Sequence, residues 1–305
     1  TLRGTLSMDY FEKLEQIMTY NLSRRGMAGV NLAGELKKAA ESLKKANTVL
    51  IITGFVIKDK LFGETDGPIG AVSIARALEI LDKNAIIITD IYSKEIVETA
   101  LELACSETVL EIISEHAGID FYKTILDKYK PDCLISIERP GEAEDGLMYS
   151  MTGECISGLV PSMDSLFEEA KNRGLCTIGI GDGGNEIGMG KIKQYVIDNV
   201  PNGDIIAASF ATDYLILSGV SNWGAHALVA AMSVLFNRDL LYSAEMGEKL
   251  LRTIVDVGAV NGMTKQNTLT VDKLGLDENM RVFNDMKAVV EECIKILPSP
   301  SHFGQ

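Results

Sequence analysis

The chain has 305 residues, 46% of them hydrophobic and 24% charged, proportions that exclude disordered, collagenous and low-complexity classes. Against 29 lysines and arginines stand 43 aspartates and glutamates, and the net charge of −14 argues against nucleic acid or an anionic membrane as partner. Small anions, which respond to local fields, remain open as ligands, and a chain of this length buries a core without disulfide or metal staples.

Five cysteines (Cys105, Cys133, Cys155, Cys176 and Cys293) are far apart in sequence and none has CxxC spacing, so reduced thiols in a cytoplasmic compartment are expected. No apolar run reaches the roughly 18 residues that span a bilayer. Residues 1–7 lack the charged and apolar regions of a secretory signal and are set aside as an addition ahead of Met8.

In chain order, helices are expected over 8–22 and 33–46. Short apolar runs then alternate with amphipathic segments. Strands are expected at 48–53, 85–89, 108–113 (less its leading Thr108), 133–137, 176–180 and 214–218, with 205–210 as a further strand. Helices are expected between them at 68–82, 92–104, 118–129, 163–173 and 222–236, and after them at 243–258 and 278–296. Strand runs without polar alternation are those of strands buried on both faces, and this succession describes an α/β protein with a mainly parallel sheet flanked by helices. Asn202-Gly203 and Asn261-Gly262 mark turns. No linker or repeat divides the chain, so one α/β domain is expected over 1–305: N-terminal helices in 8–46, the core in 47–240 and a helical region in 241–305.

Acidic residues recur where these strands end. Asp90, Glu138 and Asp182 each follow a strand, and Glu64 and Asp66 lie in the loop after the first. Ligands of open α/β sheets bind outside the carboxyl ends of the strands, so these side chains are candidates to converge there. Clustered carboxylates either raise one another's pKa or hold a hard cation. In Gly63-Glu64-Thr65-Asp66-Gly67-Pro68, Pro68 suits the first position of a helix, and Asp66 can cap that helix, which leaves Glu64 without a capping role. Glu64, Asp66, Asp90, Asp182 and Glu186 are therefore the candidate metal ligands.

The stretch from Gly179 to Gly190 holds six glycines directly after a strand. Formally it contains GxGxxG, but without the acid at the end of a following strand that a dinucleotide site needs, and without a P-loop lysine, so no organic cofactor is expected. It reads as a ligand loop in which Gly181, Gly183, Gly184 and Asn185 offer backbone and amide groups, with Thr53 and Gly54 at the end of the first strand. Arg139, beside Glu138, is the cation best placed to clamp a carboxylate, its structural alternative being an ion pair with Glu138 or Asp182. Ser221 and Asn222 are natural caps for the helix at 222–236 and further binding candidates. The three histidines lie outside these loops and there is no GxSxG elbow, so acyl-enzyme chemistry is poorly supported.

The segments ITGF (52–55), GETDGPIGA (63–71), IERPGEAEDG (137–146), GIGDGGNEIGMG (179–190), ATDYLI (211–216), SGVSNWGAHAL (218–228) and GAVNGMTK (258–265) resemble, in order, the D-glutamate cyclase family, as the C-terminal domain of its longer mitochondrial eukaryotic members. Asn261 departs from the aspartate of a GAVDG-type turn. The resemblance implies cyclisation of D-glutamate to 5-oxo-D-proline with loss of water, a lyase reaction on a small anionic substrate. On that reading Asp182 or Glu186 serves as base, with Glu138 beside them. Mg²⁺ or Mn²⁺ on Glu64, Asp66, Asp182 or Glu186 polarises the γ-carboxylate, Arg139 holds the α-carboxylate, and the glycine-loop amides stabilise an oxyanion. A metal-dependent phosphohydrolase and a non-catalytic binding module are the alternatives, and a homo-oligomer is the prior for a soluble enzyme.

Overall fold

The computed structural model describes residues 9–296; the segment 1–7 set aside above lies outside it. Helix α1 (Tyr10–Met18) starts at Asp9, whose carboxylate accepts the Phe11 N–H, and runs into a 3-10 turn at Leu22–Arg25. After α2 (Glu35–Lys45) come β1 (Thr48–Thr53) and a small hairpin of β2 (Val56–Ile57) and β3 (Phe62–Gly63). There follow α3 (Pro68–Ile80), β4 (Asn84–Asp90), α4 (Lys94–Ala104), β5 (Val109–Ile113), α5 (Ile119–Tyr129), β6 (Cys133–Ile137), α6 (Asp164–Asn172) and β7 (Cys176–Gly181). Short helices α7 (Lys193–Asn199) and α8 (Gly203–Ile206) lead to β8 (Tyr214–Leu217), α9 (Ser221–Phe236) and α10 (Ala244–Asp256). A second small hairpin, β9 (Thr270–Val271) and β10 (Leu274–Gly275), precedes the long α11 (Leu276–Ile296).

Six strands form one parallel sheet in the order β5-β4-β1-β6-β7-β8. The chain winds outward from β1 through β4 to β5, then returns across the sheet to β6 and winds the other way. The reversal falls between β1 and β6, the position at which doubly wound sheets open a crevice at their carboxyl ends. Successive residues of β1 point to opposite faces: Val49 and Ile51 pack among α1, α2, α3 and α9, whereas Leu50 and Ile52 pack against α5 and α6. Burial on both faces explains the uninterrupted apolar strands, and each fully buried aliphatic side chain contributes roughly 1.5–3 kcal/mol. Helix α9, buried throughout its first thirteen residues, runs through the larger core.

Two expectations are corrected. Residues 205–210 do not join the sheet. Asn202 (φ 60) starts the helical turn α8, and the chain beyond it bonds to loops instead, Ala208 N–H to Gly184 O (3.0 Å) and Ser209 N–H to Glu142 O (2.7 Å). The region after residue 240 is not wholly helical, because the β9–β10 hairpin interrupts it.

Candidate active site

At the switch point, the carboxyl ends of β1, β6 and β7 deliver Phe55, Glu138 and Asp182, while the turn before α3 delivers Glu64 and Asp66. A cavity of about 230 Å³ opens here, with Arg25, Glu64, Glu138, Asn185 and Asp272 at its charged and polar end. Lys58, Lys265 and Lys273 also line it, with Phe55, Val56, Ile57, Met151 and Ile156 as apolar wall.

Glu64 is 5% exposed, and among the described residues no hydrogen bond reaches its carboxyl group. Gly262 closes over it: a Cβ there would lie 1.7 Å from Glu64 Oε2, so a side chain at this position would displace the Glu64 carboxyl group. Burial, then Asp272 and Asp66, pushes the Glu64 carboxyl well above the usual carboxylate range. Glu138 holds a left-handed backbone (φ 43), unusual for a non-glycine residue and a mark of functional sites, and accepts a hydrogen bond from the Ser221 hydroxyl. Burial, followed by the charges of Glu186 and Glu64, raises it too.

Asp66 caps α9, not the helix it precedes. Its two oxygens accept from Ser221 N–H (2.8 Å) and Asn222 N–H (2.8 Å), with Gly67 N–H at 3.0 Å. Asn222 returns the arrangement: its Oδ1 accepts from Gly67 N–H (3.1 Å) and Gly70 N–H (2.8 Å) at the start of α3, and its amide donates to Thr65 O. Each helix thus supplies the cap of the other. Burial and then Asp272 raise the Asp66 pKa to about 7 despite these bonds.

Arg25 is the cation inside the cluster. Its Nη2 pairs with Asp182 (2.8 Å) and with Asp272. Burial disfavours its charge, but Asp182, Asp272 and Glu138 outweigh burial and hold the guanidinium well above its ordinary value. Asp182 is pushed well up by burial, whereas Asp272, also buried, is lowered because Arg25 and a hydrogen bond from Asp182 outweigh that burial. One oxygen each of Asp66, Glu138 and Asp182 lie within 4.8 Å of one another, all buried, and this trio could hold a metal ion.

Several candidates are bonded away from the cavity. The Arg139 guanidinium is fully buried: it pairs with Asp90 and donates to Gly54 O (3.1 Å) and Pro161 O (2.8 Å), its Nε being left without a partner among the described residues. It ties β4, β1 and β6 together behind the site and does not face the cavity, and its acid partner is Asp90, not Glu138 or Asp182. Asp90 also accepts the Tyr92 N–H and is not a member of the metal-competent trio. Glu186 is fully buried, with its carboxylate turned back on its own loop, accepting the N–H groups of Asp182 (3.0 Å), Gly183 (2.6 Å) and Gly184 (2.6 Å). Those amides are spent on Glu186 and are not offered to a ligand. The glycines serve packing: a Cβ on Gly190 would meet Ser209 O at 2.2 Å, and one on Gly179 would meet Gly188 Cα at 3.0 Å. Gly181 is equally hemmed in, by Met189 and Glu186. Thr53 is buried with an unpartnered hydroxyl and Gly54 (φ 114) abuts Ser93, so neither lines the cavity. Asn185 does, donating to Tyr149 O (2.7 Å).

Arg25 and Asp272 were not among the sequence candidates. Arg24-Arg25-Gly26, a pair of cations at a turn in an acidic chain, is the signal available for the first. Asp272, at φ 51 in the two-residue turn of the β9–β10 hairpin, has none.

The chain matches the family described as D-glutamate cyclase-like, C-terminal, over residues 14–287. The human protein named mitochondrial D-glutamate cyclase is 37% identical over 239 residues, a match covering 74% of this chain. That match takes in 39% of the human protein, so the chain corresponds to about two fifths of that relative's length. The family match spans both Arg25 and Asp272 as well as the glycine loop, and the chain belongs to the D-glutamate cyclase-like C-terminal family.

Proposed function

We propose that this chain is a lyase that cyclises D-glutamate to 5-oxo-D-proline, with the carboxyl groups of Glu64 and Glu138 as proton carriers. The observation that carries this reading is a pair of buried carboxyl groups with raised pKa in a cavity that also presents Arg25 and three lysines.

The reaction sets the requirements. The nitrogen of the ammonium group forms a bond to the γ-carbon, one C–O bond of the γ-carboxylate breaks, and the departing oxygen leaves as water. Nitrogen gives up two protons and that oxygen gains two, so the site must move protons without net uptake. A carboxyl pair sharing one proton does this: the ionised member takes a proton from the ammonium group while the protonated member supplies the leaving oxygen. Glu64 suits the mobile role because no hydrogen bond among the described residues fixes its oxygens. The acid cluster attracts the ammonium end, and Arg25, held in place by Asp182 and Asp272, faces the substrate carboxylate in place of Arg139. Lys273 adds positive charge along the cavity for an anionic substrate, and Lys58 and Lys265, paired with Glu154 (3.3 Å) and Asp59, stand beside it.

The donor set of Asp66, Glu138 and Asp182 is all oxygen and in excess of nearby positive charge, which fits a hard divalent cation such as Mg²⁺ or Mn²⁺. Such an ion would engage Glu138 as a carboxylate ligand, leave proton movement to Glu64, and supply Lewis-acid polarisation of the γ-carboxylate.

The test is proton NMR of D-glutamate with the purified protein, before and after chelation and after adding Mg²⁺ or Mn²⁺. Formation of 5-oxoproline supports the reading, and loss with chelator followed by recovery assigns the trio an ion. Product indifferent to chelator keeps the cyclase without the ion. No product from the folded protein under any of these conditions overturns it, and thermal stabilisation by D-glutamate without turnover would then favour a binding module.

A further inference from the structure

We propose that Cys133 and Cys176 form a reversible disulfide when the folded protein meets a peroxide. The two residues are directly registered partners on the neighbouring parallel strands β6 and β7, each the first residue of its strand. Registered residues of a parallel pair project from the same face, and both thiols pack against the larger core on the side of α2. Adjacent strands lie about 4.8 Å apart, inside the roughly 4.4–6.8 Å between Cα atoms that a disulfide spans. The bond needs the two Cβ atoms to draw somewhat closer than strand spacing leaves them, which makes it reducible. The start of the ladder gives that freedom, because the chain enters each strand there from a loop, with Cys176 N–H on Asp132 O at 3.2 Å.

The pair has an order of reaction. Cys133 is fully buried, while Cys176 is partly exposed and is the thiol a small oxidant reaches. The Cys133 thiol, which donates to Leu134 O (3.7 Å), and the Ser42 hydroxyl lie beside Cys176 and lower its pKa against the opposing effect of burial, while the Cys176 thiol raises that of Cys133. The Cys176 thiolate attacks hydrogen peroxide, breaking the O–O bond to give a sulfenic acid and hydroxide. The Cys133 sulfur then displaces the sulfenic oxygen, which leaves as water, and the hydroxide takes up the remaining thiol proton. Two thiols and one peroxide yield one disulfide and two waters. Cys105, Cys155 and Cys293 have no registered cysteine neighbour: Cys105 ends α4 with its thiol towards Val72 O, Cys155 lies in a loop and Cys293 lies in α11.

The measurement is peptide mass spectrometry and free-thiol titration of the native protein after limited hydrogen peroxide, then after dithiothreitol. The expected result is loss of two thiols per chain, a linked peptide pair containing Cys133 and Cys176, and recovery of both thiols on reduction. In Cys133→Ala the sulfenic acid of Cys176 should persist long enough for trapping by a dimedone reagent. Cys176 passing to sulfinic acid in the unsubstituted protein with no linked pair, linkage through another cysteine, or no oxidation at either residue overturns the proposal. Because the linked pair is read in the unsubstituted protein, the test does not depend on a variant folding.

Discussion

Glu64 and Glu186 are both buried carboxylates of one acidic cluster, yet their hydrogen bonds give them opposite roles. Glu64 has no fixed partner among the described residues and faces the cavity, whereas Glu186 holds three backbone N–H groups and faces none of it. Replacing Glu186 with alanine strands three amides in a loop that has no water access. The expected loss is about 2–5 kcal/mol, read as a lower urea midpoint with an unchanged slope, and Glu186→Gln should lose less because one acceptor oxygen remains. An Ala variant as stable as the parent would contradict the stapling role. Sequence position alone could not separate the two glutamates, since both sit in glycine-bounded loops after strands. Nor could it find Arg25 and Asp272, which come from the 3-10 turn after α1 and from the β9–β10 turn and meet only in the folded chain.

Among the elements, the apolar strands and the helices between them were legible because their burial on two faces leaves a direct mark on composition. Residues 205–210 carry the same mark for a different reason. Ile206, Ala207 and Ala208 are buried against Met189 and Leu215, so the run is apolar without being a strand. Capping was legible in kind but not in partner: Asp66 and Asn222 do cap helices, each the other's. That exchange ties the N-termini of α3 and α9 to each other beside Glu64 and Glu138. Asn222→Ala removes the acceptor of two buried N–H groups, and a destabilisation of about 1–2 kcal/mol is expected by chemical denaturation. A change within error would mean that other groups satisfy the start of α3.

On the scale of the molecule, the strand order puts its reversal between β1 and β6, and the acids gather at that reversal because loops at carboxyl ends converge there. The larger core on one face of the sheet adds a pH dependence of its own. His226 is fully enclosed in α9, bonded through Nε2 to Tyr242 OH (2.6 Å) with Nδ1 unpartnered, and burial lowers its pKa to about 3. Its folded pKa lies below the unfolded value of about 6.5, so unfolding takes up a proton in acid. The stability it contributes is complete above about 6.5 and is lost as pH falls from there towards 3, at up to about 1.4 kcal/mol per pH unit. His226→Gln should flatten the stability curve in that window, and equal slopes for the two proteins would refute the assignment. Proton movement in the cavity is the proposed task of Glu64. The measurement that tests this most directly is the rate of 5-oxoproline formation from D-glutamate by Glu64→Gln, beside the parent protein and with thermal unfolding as a control for folding. A general acid–base role predicts a fall of at least about 100-fold with the fold intact; a folded variant turning over at the parental rate would contradict it.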